Sequence, residues 1–379
     1  MPTDQVRVTF QPAGPFHADV KARVDTYFRE AGRSPRGGWR LGLKAAVIFA
    51  WFAASYGLLL LGHPSGWQAS LLAVSLGLAW AGLGFDVMHD ANHGSSAARP
   101  AWNRALAFSA DLIGASGALW RQKHNVLHHT YTNVVGVDAD LDSGSLLRLA
   151  PSQPRRRGHR WQHLYAWLLY AVFPLRWFFF DDFRELSAGR IGEQRFQRPR
   201  GWDLVALLIG KALFVGWAVV IPVLLHPTWW LVPFGLLTIG TLGVTLATVF
   251  QLAHAVGEAA FIEPSGARLP TDWATHQVTT TVDFARGNGL LGWYLGGLNF
   301  QVVHHLFPRV SHVHYRALAP IVEAACRDHG VPYRAWPGLG AALEANVRWL
   351  RQMGRPTGPW QVAPVGPRRL SGAPRSSTG

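Results

Sequence analysis

Apolar residues along this chain gather into long uninterrupted runs instead of alternating with polar ones at short period. Runs at about 41–61 and 67–85 are separated by a short turn around Pro64. A second pair, at about 202–225 and 230–252, is separated by His226, Pro227 and Thr228. A helix of roughly 20 residues crosses a hydrocarbon layer about 30 Å thick. The pattern therefore predicts four membrane-spanning helices arranged as two hairpins. Ahead of them, Val20, Val24, Tyr27 and Phe28 fall on one side of a predicted amphipathic helix from His17 to Glu30. Stretches 101–119 and 161–180 are also apolar, but Arg104, Asp111, Pro174 and Arg176 interrupt them. If 161–180 crossed alone, the later polar segments would face away from the earlier ones, so both stretches predict helices lying in the interface. Pro, Gly and Ser dominate after Gly354. The organisation is thus an N-terminal segment 1–40, a membrane domain 41–353 and a disordered tail 354–379.

Composition agrees with a membrane protein: of 379 residues, 49% are hydrophobic and only 15% charged. The formal charge is +14, and its distribution carries the information. Residues 1–40 hold seven Lys or Arg, the segment 86–201 holds fifteen, the part from His254 onward holds twelve, and the two short turns hold none. Basic segments stay cytoplasmic, so both termini and every extended polar segment are expected on that face. Basic residues placed between apolar runs argue for orientation rather than nucleic-acid binding, and no nucleic-acid motif is present. The first apolar run begins too far from the N-terminus for a cleaved signal and reads as a retained span. Cys326 is the only cysteine, which excludes an internal disulfide and an iron–sulfur cluster bound by four cysteines of one chain.

The 17 histidines are clustered. His89 and His93 stand in HDANH, His124, His128 and His129 in HNVLHH, and His304 and His305 in QVVHH. His254 follows the fourth span. All lie on the expected cytoplasmic side. Residues i and i+4 share a helix face, so His89 with His93, and His124 with His128, are each expected to reach one metal. His129, about 100° round from His128, is expected to serve a neighbouring metal, and His304 and His305 to divide likewise. Neutral imidazoles suit divalent iron, and eight histidines exceed the three or four ligands of a zinc site. Two irons are therefore expected, able to activate O₂ at the ends of apolar helices where a hydrocarbon enters from the bilayer. Asp90 is a candidate acceptor for a ligand ring N–H, and Glu258, four residues after His254, a candidate for the same task. Gln301 is a candidate weak ligand. Asn125, Asn133, Asp138 and Asp140 surround the second cluster as orienting or turn residues. His276, His312 and His314 read as supporting residues, and His17, His159, His163, His226 and His329 as surface or interface residues. Trp120 and Trp293 are candidate linings of an acyl tunnel. Lys211, inside the third span, has no evident partner in the sequence.

The three boxes, in this order and with these gaps, resemble those of the membrane fatty-acid desaturases, nearest to the front-end branch and bacterial acyl-CoA or acyl-lipid desaturases. The matching residues are His89-Asp90-Ala91-Asn92-His93-Gly94, KHNVLHHTYTN from Lys123 to Asn133, and FQVVHHLFPRVSHVHY from Phe300 to Tyr315. The resemblance implies two irons held by the boxes, and O₂-dependent insertion of a cis double bond into an acyl chain. It also implies membrane lipids as surroundings and a bacterial inner-membrane location. Electrons would come from a separate ferredoxin or cytochrome b5 with its reductase. Gln301 at the head of the third box implies the front-end subgroup, with delta-5 or delta-6 activity. His254 resembles the extra ligand that acyl-CoA relatives supply at the end of the last span. Those relatives carry an asparagine four residues earlier, where this chain has Phe250, with Gln251 one position off. His63-Pro64-Ser65-Gly66 departs from the haem motif of fused cytochrome b5 domains. The alternative within the same superfamily is a fatty-acid or sphingolipid hydroxylase, and Arg121 and Lys123 are candidate contacts for headgroup or coenzyme A phosphates. A transporter would instead need ionisable groups near the midplane of its spans.

Overall fold

The computed structural model describes residues 8–264 and 266–356. The far end of the expected tail, 357–379, lies outside the described residues. Four helices are long and apolar enough to cross a membrane: Gly38–Leu61, Gly66–Asn92, Trp202–Leu225 and Leu231–His254. They are called spans 1 to 4 below. Span 1 starts three residues before its expected run, span 2 continues seven residues past its own to Asn92, span 3 coincides with 202–225, and span 4 reaches His254 itself. A capping box in which Ser65 N–H donates to Gln68 Oε1 at 2.9 Å starts span 2. At the far end the two hairpin turns meet, with His226 Nε2 2.6 Å from the Leu60 carbonyl. The opposite ends of the spans carry the rest of the chain.

Span 4 packs against span 2 and against the helix Gln162–Arg176. Glycines set both approaches: a Cβ on Gly77 would meet the Thr238 carbonyl at 2.5 Å, and one on Gly243 the Tyr170 carbonyl at 2.2 Å. Helix Gln162–Arg176 buries Ala166 and Tyr170 and exposes Leu164, Leu168 and Val172. Lys211 of span 3 has three partners: Asp182 Oδ2 at 2.7 Å and the carbonyls of Gly114 and Phe178 at 2.6 and 2.7 Å. A lone lysine at the bilayer centre costs about 2.5–3.5 kcal/mol. The pairing removes that penalty and fixes 113–115 and 178–182 to span 3.

The polar half is built from short elements. The N-terminal helix Pro15–Glu30 buries Phe16, Val20 and Val24 against helix Tyr315–Asp328. Each such burial is worth roughly 1.5–3 kcal/mol. The closing helix Leu339–Met353 seats Trp349 against Phe261, with Trp349 Nε1–H donating to the Leu149 carbonyl at 2.8 Å. Among the described residues strands are confined to two minimal pairs, Arg190–Ile191 with Gln194–Arg195, antiparallel, and Asp283–Phe284 with Ala335–Trp336, parallel. His159, expected near the surface, is instead buried, between the Arg156 N–H and the Ser145 carbonyl.

Candidate metal centre

The first box is delivered by span 2. Its α-helix loosens at Leu83–Met88 into a π-helical turn and resumes at His89–Asn92. Gly94, at φ 69°, stops it, with Gly94 N–H on the Ala91 carbonyl and Ser95 N–H on that of Asp90. His89 and His93 thus share a face, their ring centroids 4.7 Å apart.

The second box departs from the expected geometry. Arg121–His128 is a π-helix, and His129 N–H bonds to the His124 carbonyl five residues back. The wider turn aligns His124 with His129, whose Nε2 atoms are 3.1 Å apart. His124 joins His89, His93 and His304 in one group of mutually close ligand atoms, while His128 joins His254 and His305 in another. The expected pairing of His124 with His128 keeps a geometric basis in a further group, where both lie with Asp140. The two rings do face each other, at 5.3 Å, and meet Asp140 at the edge of the site. His129 lies between the groups, 4.5 Å from the His304 ring and 4.4 Å from that of His305.

The third box is a short helix, Gln301–Leu306, opened by Val302 N–H donating to Asp283 Oδ1 at 2.9 Å. Burial pushes the Asp283 carboxyl up to about 6, even though Tyr333 O–H and that amide both donate to it. Successive positions send His304 toward His89, at 4.6 Å, and His305 toward His254, at 4.9 Å.

Burial, and then the neighbouring imidazoles, holds His93, His124, His129, His304 and His305 well below the usual histidine range. They are neutral at pH 7, the form that ligates metal. His128 alone among these is raised: burial opposes the shift, but the Asp138 carboxylate, 3.0 Å from Nδ1, outweighs it. Burial likewise opposes the lowering of Asp138, which His128 and the amides of Asn133 and Asp140 enforce. Other outer nitrogens are held too: His305 Nδ1 by Gln277 Oε1 at 2.9 Å, His304 Nδ1 by Tyr315 Oη at 3.1 Å and His254 Nδ1 by the Thr280 carbonyl at 3.4 Å. The inner Nε2 atoms of His89, His93, His254, His304 and His305 are buried without any hydrogen-bond partner. Convergent orphaned lone pairs are costly unless something accepts them, and a cation in each group answers that cost.

The remaining candidates fall out unevenly. Asp90 approaches His89 Nδ1 only to 3.7 Å. Its closer partners are Ser311 Oγ at 2.8 Å and His312 Nδ1 at 3.0 Å. Glu258 does not lie one helical turn beyond His254, because span 4 ends at His254 and the next residue leaves the helix. The Thr280 carbonyl occupies the position expected of Glu258. Gln301 is buried beside His254 with Nε2 unpartnered. Trp120 stacks on His124 at 4.3 Å, whereas Trp293 is 41% exposed and sits by Lys44. His276 and His312 are supporting residues: His276 Nε2 is 2.8 Å from the Thr132 carbonyl and His312 Nε2 is 2.9 Å from Lys44 Nζ. Sequence reasoning missed Lys44 and Asp86, a buried ion pair joining spans 1 and 2 behind the first box. Two charges inside apolar runs were the available signal. A cavity of about 680 Å³ reaches His93 and His129 from the surface.

The family model for fatty acid desaturases matches residues 65–337, which include all three boxes and His254. This chain belongs to the fatty acid desaturase family. Among relatives, an sn-1 linoleoyl-lipid 6-desaturase of Arthrospira platensis is 35% identical over 92% of this chain and 95% of its own length. One of the same name from Synechocystis sp. is 35% identical over 92% and 98%. A Delta(5) fatty acid desaturase A of Dictyostelium discoideum is 30% identical over 89% of this chain and 75% of its own. The chain is thus a membrane desaturase, and its histidine groups fall inside the region the family shares.

Proposed function

We propose that this desaturase is a front-end enzyme acting on an acyl lipid, with two irons bound by the eight clustered histidines. The carrying observation is the pair of buried imidazole groups in which the inner nitrogens of His89, His93, His254, His304 and His305 lack partners. His89, His93, His124 and His304 would hold one iron, and His128, His254 and His305 the other, with His129 between them and Gln301 beside His254. Reduced iron supplies the activation of O₂ that removes hydrogen from unactivated methylenes. In balance, –CH₂–CH₂– plus O₂, two electrons and two protons gives –CH=CH– and two waters. The chain's own part is to keep the imidazoles neutral by burial, to fix their orientation through Asp138, Gln277, Tyr315 and Thr280, and to exclude bulk water. The electrons come from a separate ferredoxin or cytochrome b5 system. Glu258 has no part in this reading, and Asp90 acts by holding the loop after the third box.

Gln301 and the 6- and Delta(5)-desaturase names of the relatives support the front-end assignment. The concentration of Lys and Arg at the box end of the spans supports a cytoplasmic site in a bacterial inner membrane, with 100–112 and 162–188 lying in the interface. The exposed Leu164, Leu168, Phe180 and Phe183 suit that placement.

The test is product analysis. Iron-loaded protein with reductant, carrier and O₂ is given stearoyl and linoleoyl lipids, and the products are identified by mass spectrometry. A new double bond on the carboxyl side of an existing one is expected. A bond on the methyl side would overturn the front-end reading, and a hydroxylated product would point to the hydroxylases.

A further inference from the structure

The cavity that reaches His93 and His129 is lined by charged, polar and small residues. Arg36, Arg104, Arg121 and Arg309 all line it. Two of the four are occupied: Arg36 donates to the carbonyls of Gly94 and Arg309, and Arg121 to Asn92 Oδ1 and to Asp203 at 2.6 Å. Arg104, on the short helix Pro100–Ala107, and Arg309, just after the third box, are exposed, and among the described residues no group pairs with their guanidiniums. They approach the cavity from separate segments of the chain. Ala91, Ala107, Ala118 and Ala206 line it as well, together with the carboxylates Asp111 and Asp203, the latter taken by Arg121.

The mouth has a definite depth. Trp202, the first residue of span 3, lines it, and Phe108 lies 6.5 Å away, ring to ring. Trp202 and Trp102 are 61% and 60% exposed. Tryptophans at the start of a span sit at headgroup level. The opening therefore faces the lipid headgroups sideways, and its two free arginines stand at the depth of lipid phosphates. Guanidinium is well matched to phosphate oxygens.

We infer that this cavity takes the substrate from the adjacent leaflet and that Arg104 and Arg309 bind the phosphate of its headgroup. The inference rests on the desaturase reading above and deepens it. An acyl lipid anchored by its headgroup beside His93 and His129 presents carbons near its carboxyl end to the metals. That is the geometry a double bond counted from the carboxyl end requires. Coenzyme A phosphates share the chemistry, but the sideways opening favours a lipid.

The experiment compares holoenzyme in nanodiscs containing linoleoyl phosphatidylglycerol, in nanodiscs containing uncharged linoleoyl monogalactosyl diacylglycerol, and with soluble linoleoyl-CoA. Arg104→Gln/Arg309→Gln is expected to raise KM for phosphatidylglycerol about tenfold or more, with iron content retained and kcat less affected than KM. The effect on the galactolipid is expected to be at least about fivefold smaller, because no phosphate is there to lose. Arg104→Lys/Arg309→Lys should recover part of the loss, and Arg190→Gln, on a remote hairpin, should behave as wild type. Equal effects on both lipids, no effect on either, or an arginine dependence confined to linoleoyl-CoA would overturn the inference. A parallel arm measures phosphatidylglycerol retention by metal-free protein using native mass spectrometry. Retention by wild type and loss in the double Gln variant is expected. That arm stands even if no product forms from any substrate, an outcome that would sink the desaturase reading and leave the headgroup site tested.

Discussion

The two histidine groups differ in what stands behind them. In the group of His128, His254 and His305, each ring has its outer nitrogen held by a neighbour: Asp138, the Thr280 carbonyl and Gln277. In the group of His89, His93, His124 and His304, among the described residues only His304 is bonded that way, to Tyr315. His89 has neither ring nitrogen partnered. Behind it lies a chain of charges instead: Asp86 and Lys44, then His312, then Asp90. One group is oriented ring by ring from the loops, and the other by fixing the backbone of two helices and a loop against each other. Outer partners fix tautomer and raise basicity, so the two groups should respond differently to loss of their supports.

Loss of a ligand from the larger group should be most severe. His304→Ala is expected to lower product by more than about a hundredfold, since even outer partners are worth 10–100-fold, and to deplete iron. Measured iron near two per chain with normal turnover would dismiss the grouping. His254→Ala should follow, with iron falling toward one per chain and most product lost. Retention of full iron would make it an interfacial histidine only. Asp138→Asn separates the groups: metal affinity is expected to fall about 10–100-fold at one site while the other holds, as competition with a chelator would reveal. Equal weakening of both sites would erase the contrast. Lys44→Met should act mainly on stability, because a buried pair broken on one side costs roughly 3–5 kcal/mol. Lys44→Met/Asp86→Leu should recover much of the lost melting temperature, and an additive double mutant would deny the pairing. His329→Ala, whose ring meets Asp19 far from the boxes, should alter neither iron nor product.

Much of the architecture was legible because its physics is local. Twenty apolar residues in a row must find a hydrocarbon layer, and each of the four runs became a span, the largest difference being the seven residues by which span 2 continues past 85. His254 could be singled out because it ends such a run on the basic side. Lys211 could not be explained, because its partners, Asp182 and two carbonyls, come from 29 to 97 residues away. Glu258 misled for the opposite reason: spacing of four implies a contact only if the helix continues, and it stops at His254.

The sequence by itself determined the membrane-spanning plan, the identity of the eight histidines and the end of the spans at which they gather. Hydrophobic run length and ligand chemistry are properties of the residues themselves. The tertiary structure decided which histidines come together, since the π-helical second box aligns His124 with His129 in addition to the faces that α spacing would give. It also decided what supports each ring and where the cavity opens. Those depend on close packing of distant segments, and no pattern within one segment specifies which others will come to lie beside it.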